Sequence, residues 1–149
     1  MKCCEFCNKP LFLRSREDKK YCSDFCKNKA YKIKIGVLNG RERFNTSNGT
    51  TGAMGELAVA IDLLQKGYEV FRAISQSTSC DLIACKKNAK PLKFEVRSGV
   101  RNAITQKISF TKNKNDIGNS DHYAVVVWTD NSNEIVYQPE LQSAETGSG

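Results

Sequence analysis

No stretch of the 149 residues stays apolar for the roughly 18 positions that would cross a bilayer, and the opening MKCCEFCNKP lacks the apolar core of a secretory signal. Both absences point to a soluble, intracellular protein with no membrane partner. Histidine occurs once. A single His122, opening the apolar run HYAVVVW, reads as a strand-end residue and cannot by itself supply histidine-based metal chemistry or a Ser-His-Asp triad. No glycine-rich phosphate loop of the nucleotide-binding type is present, and no internal repeat. The length excludes a long multidomain enzyme and suits one ordinary domain, or a small domain with a stapled miniature. With 40% apolar and 26% charged residues the composition is globular.

The charge is unevenly spread. Of the formal +7, residues 1–35 carry ten basic and four acidic side chains, whereas residues 36–149 carry thirteen and twelve. Nearly all the excess lies in the first quarter, where a polyanionic partner would find it.

Cysteine is the exception to scarcity, with seven in the chain. A reducing interior makes a disulfide framework a poor reading of that odd number, and metal ligation a better one. Cys4-Glu-Phe-Cys7 and Cys22-Ser-Asp-Phe-Cys26 form two short-spaced pairs joined by a hairpin-length connection. Four soft thiolates complete a zinc tetrahedron with no open position for a catalytic water, so the site would be structural. Cys3 is an alternative to Cys4, which gives the more regular spacing. Ser23 is placed to begin a helix that presents Cys26 in its first turn. The segment KYCSDFCKNKAYK resembles the second half of treble-clef zinc fingers, which implies a zinc-held module that contacts nucleic acid or protein. Further along the same helix, Lys27, Tyr31 and Lys34 recur at i, i+4 and i+7, a cationic stripe with an aromatic that can lie along phosphates or simply face solvent. Cys80 and Cys85 flank a buried strand and read as small core residues.

These features divide the chain into a finger at 1–35, a Gly-rich linker at 36–54, a second domain at 55–142 and a disordered tail at 143–149. Gly55 to Gly67 is predicted to be helical, with Leu57, Val59, Ala60, Ile61, Leu63 and Leu64 on a wide apolar arc and Asp62, Gln65 and Lys66 opposite. Glu56 falls inside that arc, where a carboxylate needs a donor, an arginine or a metal. Strands are expected at YEVFRAI (68–74), CDLIAC (80–85) and LKFEVR (92–97). A hairpin of the last two centred on Asn88 sets residue 85 against 91, 83 against 93 and Asp81 against Glu95. Two opposed carboxylates repel unless a divalent cation reverses the sign. Period-two alternation places Lys93, Glu95 and Arg97 on that face and Leu92, Phe94 and Val96 on the other.

Glu56 on a leading helix, then Asp81, thirteen residues, and Glu95-Val96-Arg97 resemble the PD-(D/E)xK restriction-endonuclease-like nucleases, over about Gly52 to Ser98. HYAVVVWTD and EIVYQP look like the final strands of that core. The resemblance implies an α/β (α+β) fold with a mixed sheet and flanking helices, beside the small finger. It also implies Mg²⁺ or Mn²⁺ held by Asp81, Glu95 and the main-chain carbonyl of Val96, Glu56 as a helper acid, and 5′-phosphate products. Arg97 stands where the family has Lys; Arg stays protonated and orients or clamps a phosphate instead of serving as a base. Cys80 stands where Pro is usual.

The reading is a zinc-finger DNA-binding protein with a metal-dependent endonuclease domain, Lys93 adding a cation beside the acids. Structure-specific or nonspecific DNA is expected over a long recognition site, and a homodimer would allow both strands to be cut. The rival is an inactive nuclease fold kept as a DNA- or protein-binding adaptor, and in a third reading the finger docks a protein partner.

Overall fold

The computed structural model describes residues 2–12, 16–34, 38, 40–75, 77–114, 118–129 and 131–142. Two compact units result: Met1–Leu38 with Arg101–Lys107, and Asn39–Val100 with Ile108–Gly149. The expected tail at 143–149 lies outside the described residues, as do residue 35 of the expected finger and 36, 37 and 39 of the expected linker.

The first unit has a short apolar centre. Cys4, Leu11 and Cys26 are buried, with Cys7, Tyr21 and Cys22 packed around them. A tight turn after Cys4 brings Asn8 N–H to the Cys4 carbonyl at 3.0 Å, with Asn8 in the left-handed region at φ 58°. Helix α1 (Asp24–Lys34) follows, and Ser23 Oγ accepts the Cys26 N–H at 3.3 Å, so the helix starts where its capping serine requires.

The second unit is mixed α+β. Helices α2 (Gly40–Phe44) and α3 (Asn48–Gln65) precede strands β1 (Glu69–Arg72), β2 (Leu82–Cys85), β3 (Leu92–Arg101), β4 (Ile108–Phe110), β5 (His122–Trp128) and β6 (Asn133–Gln138). Among the described residues they form a six-stranded sheet of order β1-β2-β3-β5-β6, with β4 on β3. Only the β3–β5 pairing along that path is parallel. The expected linker is therefore structured over much of its length. Ser47 caps α3, its Oγ accepting the Thr50 N–H at 3.1 Å, and the helix begins seven residues before the predicted Gly55. It ends as predicted: Gly67 adopts φ +81° and Tyr68 N–H reaches the Leu63 carbonyl at 3.1 Å.

The core lies between α3 and the sheet, built from Val59 and Leu63 of the helix with Leu82, Ala84, Phe94, Val96, Ala124 and Val126. The buried stripe of α3 is Thr51, Gly55, Val59 and Leu63, narrower than the predicted arc. Leu57, Ile61 and Leu64 are more than half exposed. Asp62, placed by the 100° rule on the outer face, is instead held by the Tyr137 hydroxyl of β6 at 2.5 Å.

Candidate functional site

In the first unit the four predicted cysteines converge. The Sγ atoms of Cys4, Cys7, Cys22 and Cys26 all lie within 4.8 Å of one another, with Cys7 to Cys22 at 3.6 Å and Cys22 to Cys26 at 3.5 Å. A tetrahedron with metal–sulfur bonds of about 2.3 Å has edges of about 3.8 Å, so the group fits a tetrahedral ion with little adjustment. Cys4 is buried and Cys3 exposed, which decides between the two alternatives. Burial raises the Cys4 thiol, but the backbone N–H groups of Cys7, Cys22 and Phe6 together outweigh it and lower its pKa to about 6. At Cys26 the Ser23 contact lowers and burial with the sulfurs of Cys22, Cys7 and Cys4 raises; the second set prevails, and the thiol is pushed up to about 12. Cys7, against a lowering bond from the Lys9 backbone, is raised by burial and by the sulfurs of Cys22 and Cys4. Four sulfurs this close resist ionising together, and a divalent ion supplies the charge that lets them.

Lys27, Tyr31 and Lys34 all lie on α1 and all are exposed. Their spacing leaves them on one side of the helix, open to solvent or to a ligand.

In the second unit the β2–β3 hairpin has the predicted register: Leu82 opposite Phe94, Ile83 opposite Lys93 and Ala84 opposite Leu92. Asn88 sits in the turn at φ 63°. Asp81, one residue before β2, continues that register toward Glu95. Its N–H donates to the Phe94 carbonyl at 3.0 Å, and its Oδ2 accepts the Val96 N–H at 2.8 Å. The backbone of Asp81 is thus tied to Phe94 and its carboxylate to the Val96 amide, one on each side of Glu95. Phe94 and Val96 are buried, while Lys93, Glu95 and Arg97 occupy the more open face. There Arg97 Nη1 pairs with Glu95 Oε1 at 2.7 Å and donates to the Val96 carbonyl at 3.2 Å.

Glu56 lies on α3 and finds an arginine, one of the three solutions its position demanded: Arg72 Nε meets its Oε2 at 2.6 Å. Arg72, the last residue of β1, was not connected to the site by sequence. The β1–β2 register, with Arg72 opposite Leu82 and Ala73 N–H on the Asp81 carbonyl at 2.9 Å, brings it beside the acids. Among the described residues the four cysteines are the gathered group of three or more potential ligands; Glu56, Asp81 and Glu95 do not make a second. Asp81, Glu95 and the Val96 carbonyl offer oxygen atoms, the donor type that hard divalent cations take.

The other singled-out residues lie around this sheet. Cys80 is buried and its thiol is raised by that burial, an inert core position next to Asp81. His122 opens β5, its Nδ1 2.8 Å from the Pro139 carbonyl and its ring stacked on Phe94 at 5.3 Å. Lys93 is exposed, and its N–H donates to Asp121 Oδ2 at 2.8 Å, tying the hairpin to the approach to β5. No described helix is long and apolar enough to cross a membrane.

No family model and no curated protein matches the chain. Among solved structures, one of a bacterial homing endonuclease is similar at 19% identity and a TM-score of 0.44, over 57% of this chain and 59% of that one.

Proposed function

We propose that this protein is a DNA-binding, metal-dependent endodeoxyribonuclease. Its first unit, held by zinc on Cys4, Cys7, Cys22 and Cys26, grips phosphates with Lys27, Tyr31 and Lys34. The second unit hydrolyses the phosphodiester, with Asp81 and Glu95 as its central acids.

The observation that carries this reading is the placement of Asp81 against Glu95 on one face of a hairpin, with Arg97 and Lys93 beside them. Two carboxylates so placed destabilise the fold unless cations offset them, which is the arrangement a phosphodiesterase uses. Asp81, Glu95 and the Val96 carbonyl would hold Mg²⁺ or Mn²⁺, which when bound polarises a phosphate oxygen and lowers the pKa of water. Asp81 arrives preorganised, since its carboxylate is oriented by the Val96 amide. Arg97 and Lys93 supply positive charge toward a phosphate, and Glu56, steered by Arg72, is the helper acid at the edge of the site.

The test is cleavage of duplex, single-stranded, flap and four-way-junction DNA with Mg²⁺ or Mn²⁺. Asp81→Asn or Glu95→Gln should abolish cleavage and leave DNA binding intact or tighter, because lost negative charge relieves repulsion toward phosphate. Wild type inert on all four substrates with either metal would overturn the enzymatic assignment. One contact favours a second reading, a binding adaptor of the same fold: Arg97 already neutralises Glu95.

A further inference from the structure

One nitrogen of Arg97 touches two of the three donors that the cation reading assigns. Nη1 lies 2.7 Å from Glu95 Oε1 and 3.2 Å from the Val96 carbonyl oxygen. The third donor, Asp81, accepts a main-chain amide at Oδ2. We propose that Arg97 is a built-in competitor for the divalent cation, a guanidinium that closes the site at rest and must leave Glu95 and Val96 before Mg²⁺ or Mn²⁺ can enter. The proposal rests on the reading of Asp81 and Glu95 as a cation site and adds to it how that site is regulated.

The physical grounds are charge, geometry and shielding. A hard divalent ion and a guanidinium both seek carboxylate and carbonyl oxygen, and a single oxygen cannot be close to both cations without strong repulsion between them. Glu95 and Arg97 side chains are only 13% and 21% exposed, so salt screens their attraction poorly. Because Asp81 is oriented from the backbone, the rearrangement proposed for cation entry is the swing of the Arg97 side chain, with the hairpin unchanged. The same swing carries a permanent positive charge out of the donor set, where a scissile phosphate would meet it. Cation affinity is then lowered by the fraction of molecules in which Arg97 has left.

Mn²⁺ titration of the full chain without DNA, by calorimetry or electron paramagnetic resonance, tests this independently of turnover. Arg97→Ala should raise Mn²⁺ affinity about tenfold or more, as expected if roughly a tenth of the wild type is open. Lys93→Ala, which removes an equal charge from the same strand face, should raise it less than about threefold, since an exposed charge is largely screened. In wild type, Mg²⁺ should shift and sharpen the Arg97 Nε resonance as the guanidinium is released, a readout that survives even if Arg97→Ala does not fold. Equal effects of the two substitutions with an unmoved Arg97 resonance would overturn the proposal and leave the hydrolytic reading standing. Cation binding that releases Arg97 with no DNA cut would support it and sink hydrolysis. No cation binding by wild type or Arg97→Ala would overturn both.

Discussion

Tyr137 and Asp62 show how one polar pair can reset what a residue is for. The phenol of β6 donates to Asp62 Oδ2 at 2.5 Å, and Lys66 meets Asp62 Oδ1 at 2.7 Å. Burial, and then the negative charge of Asp62, raise the Tyr137 pKa well above its ordinary value of about 10. The protonated phenol is therefore favoured in the folded state. Its contribution to stability is complete below about pH 10 and is lost as pH rises beyond that value toward the folded pKa. Tyr137→Phe should cost about 1–2 kcal/mol near neutral pH, as loss of a bond to a charged acceptor, and should flatten the alkaline decline. Urea midpoints at pH 7 and in the alkaline range check both parts; a decline of unchanged steepness in the variant would assign it to another group.

Elements were legible where their contacts are local. Asn88, the period-two alternation on either side of it and the short polar turn determined the β2–β3 register, because a hairpin is specified by residues near in sequence. Hence the Asp81–Glu95 opposition could be read, whereas the Arg72 partner of Glu56 could not. Glycine misled at the linker. Gly40 marked a linker in the sequence, but a Cβ there would stand 2.4 Å from Trp128 Cδ1, so its smallness admits a ring. The strand expected at 92–97 runs on to Arg101, and a Cβ at Gly99 within it would stand 2.5 Å from Val125 Cγ1. Three-residue β4 gives no periodic signal, and the parallel β3–β5 pairing joins segments too distant for a pattern to link. The α3 arc failed because periodicity counts apolar residues and cannot see which have a sheet opposite them. Leu63→Ala should therefore cost about 2–5 kcal/mol and Val59→Ala somewhat less. Leu57→Gln and Ile61→Gln should each stay within about 0.5 kcal/mol. Chemical denaturation ranks them, and a large loss at Leu57 would show that its face is covered.

At the scale of the molecule the two units depend on different forces. The second has a core of its own, from Val59 to Tyr137. The first buries little beyond Leu11 and its cysteines, too small a set to offset the entropy of ordering thirty-odd residues. Under the proposed zinc assignment metal–thiolate bonding supplies the difference, so a strong chelator, or Cys22→Ser, should unfold the first unit while the second keeps its thermal transition. Heteronuclear spectra would separate the two sets of resonances, and elemental analysis should return one zinc per chain; none in protein purified without chelator would refute the assignment.

If the protein binds DNA as proposed, the charge distribution assigns phosphate contact to the first unit. Ten basic side chains fall in residues 1–35, and Lys27 and Lys34 stand exposed on α1 with Tyr31 between them. Each lysine set on a phosphate releases close to one counterion, so the logarithm of affinity falls with the logarithm of salt by about 0.9 per contact on duplex DNA. Replacing both with alanine should weaken binding to all sequences alike and reduce the slope by up to about two, since neither residue reads a base. Tyr31→Ala should weaken single-stranded DNA more than duplex, because unpaired bases offer a face to stack on, and should leave the slope unchanged. Binding isotherms across a range of salt separate these effects. An unaltered slope in the double variant would mean that the stripe faces solvent, and a nearly flat slope in wild type would point instead to a protein partner for the finger.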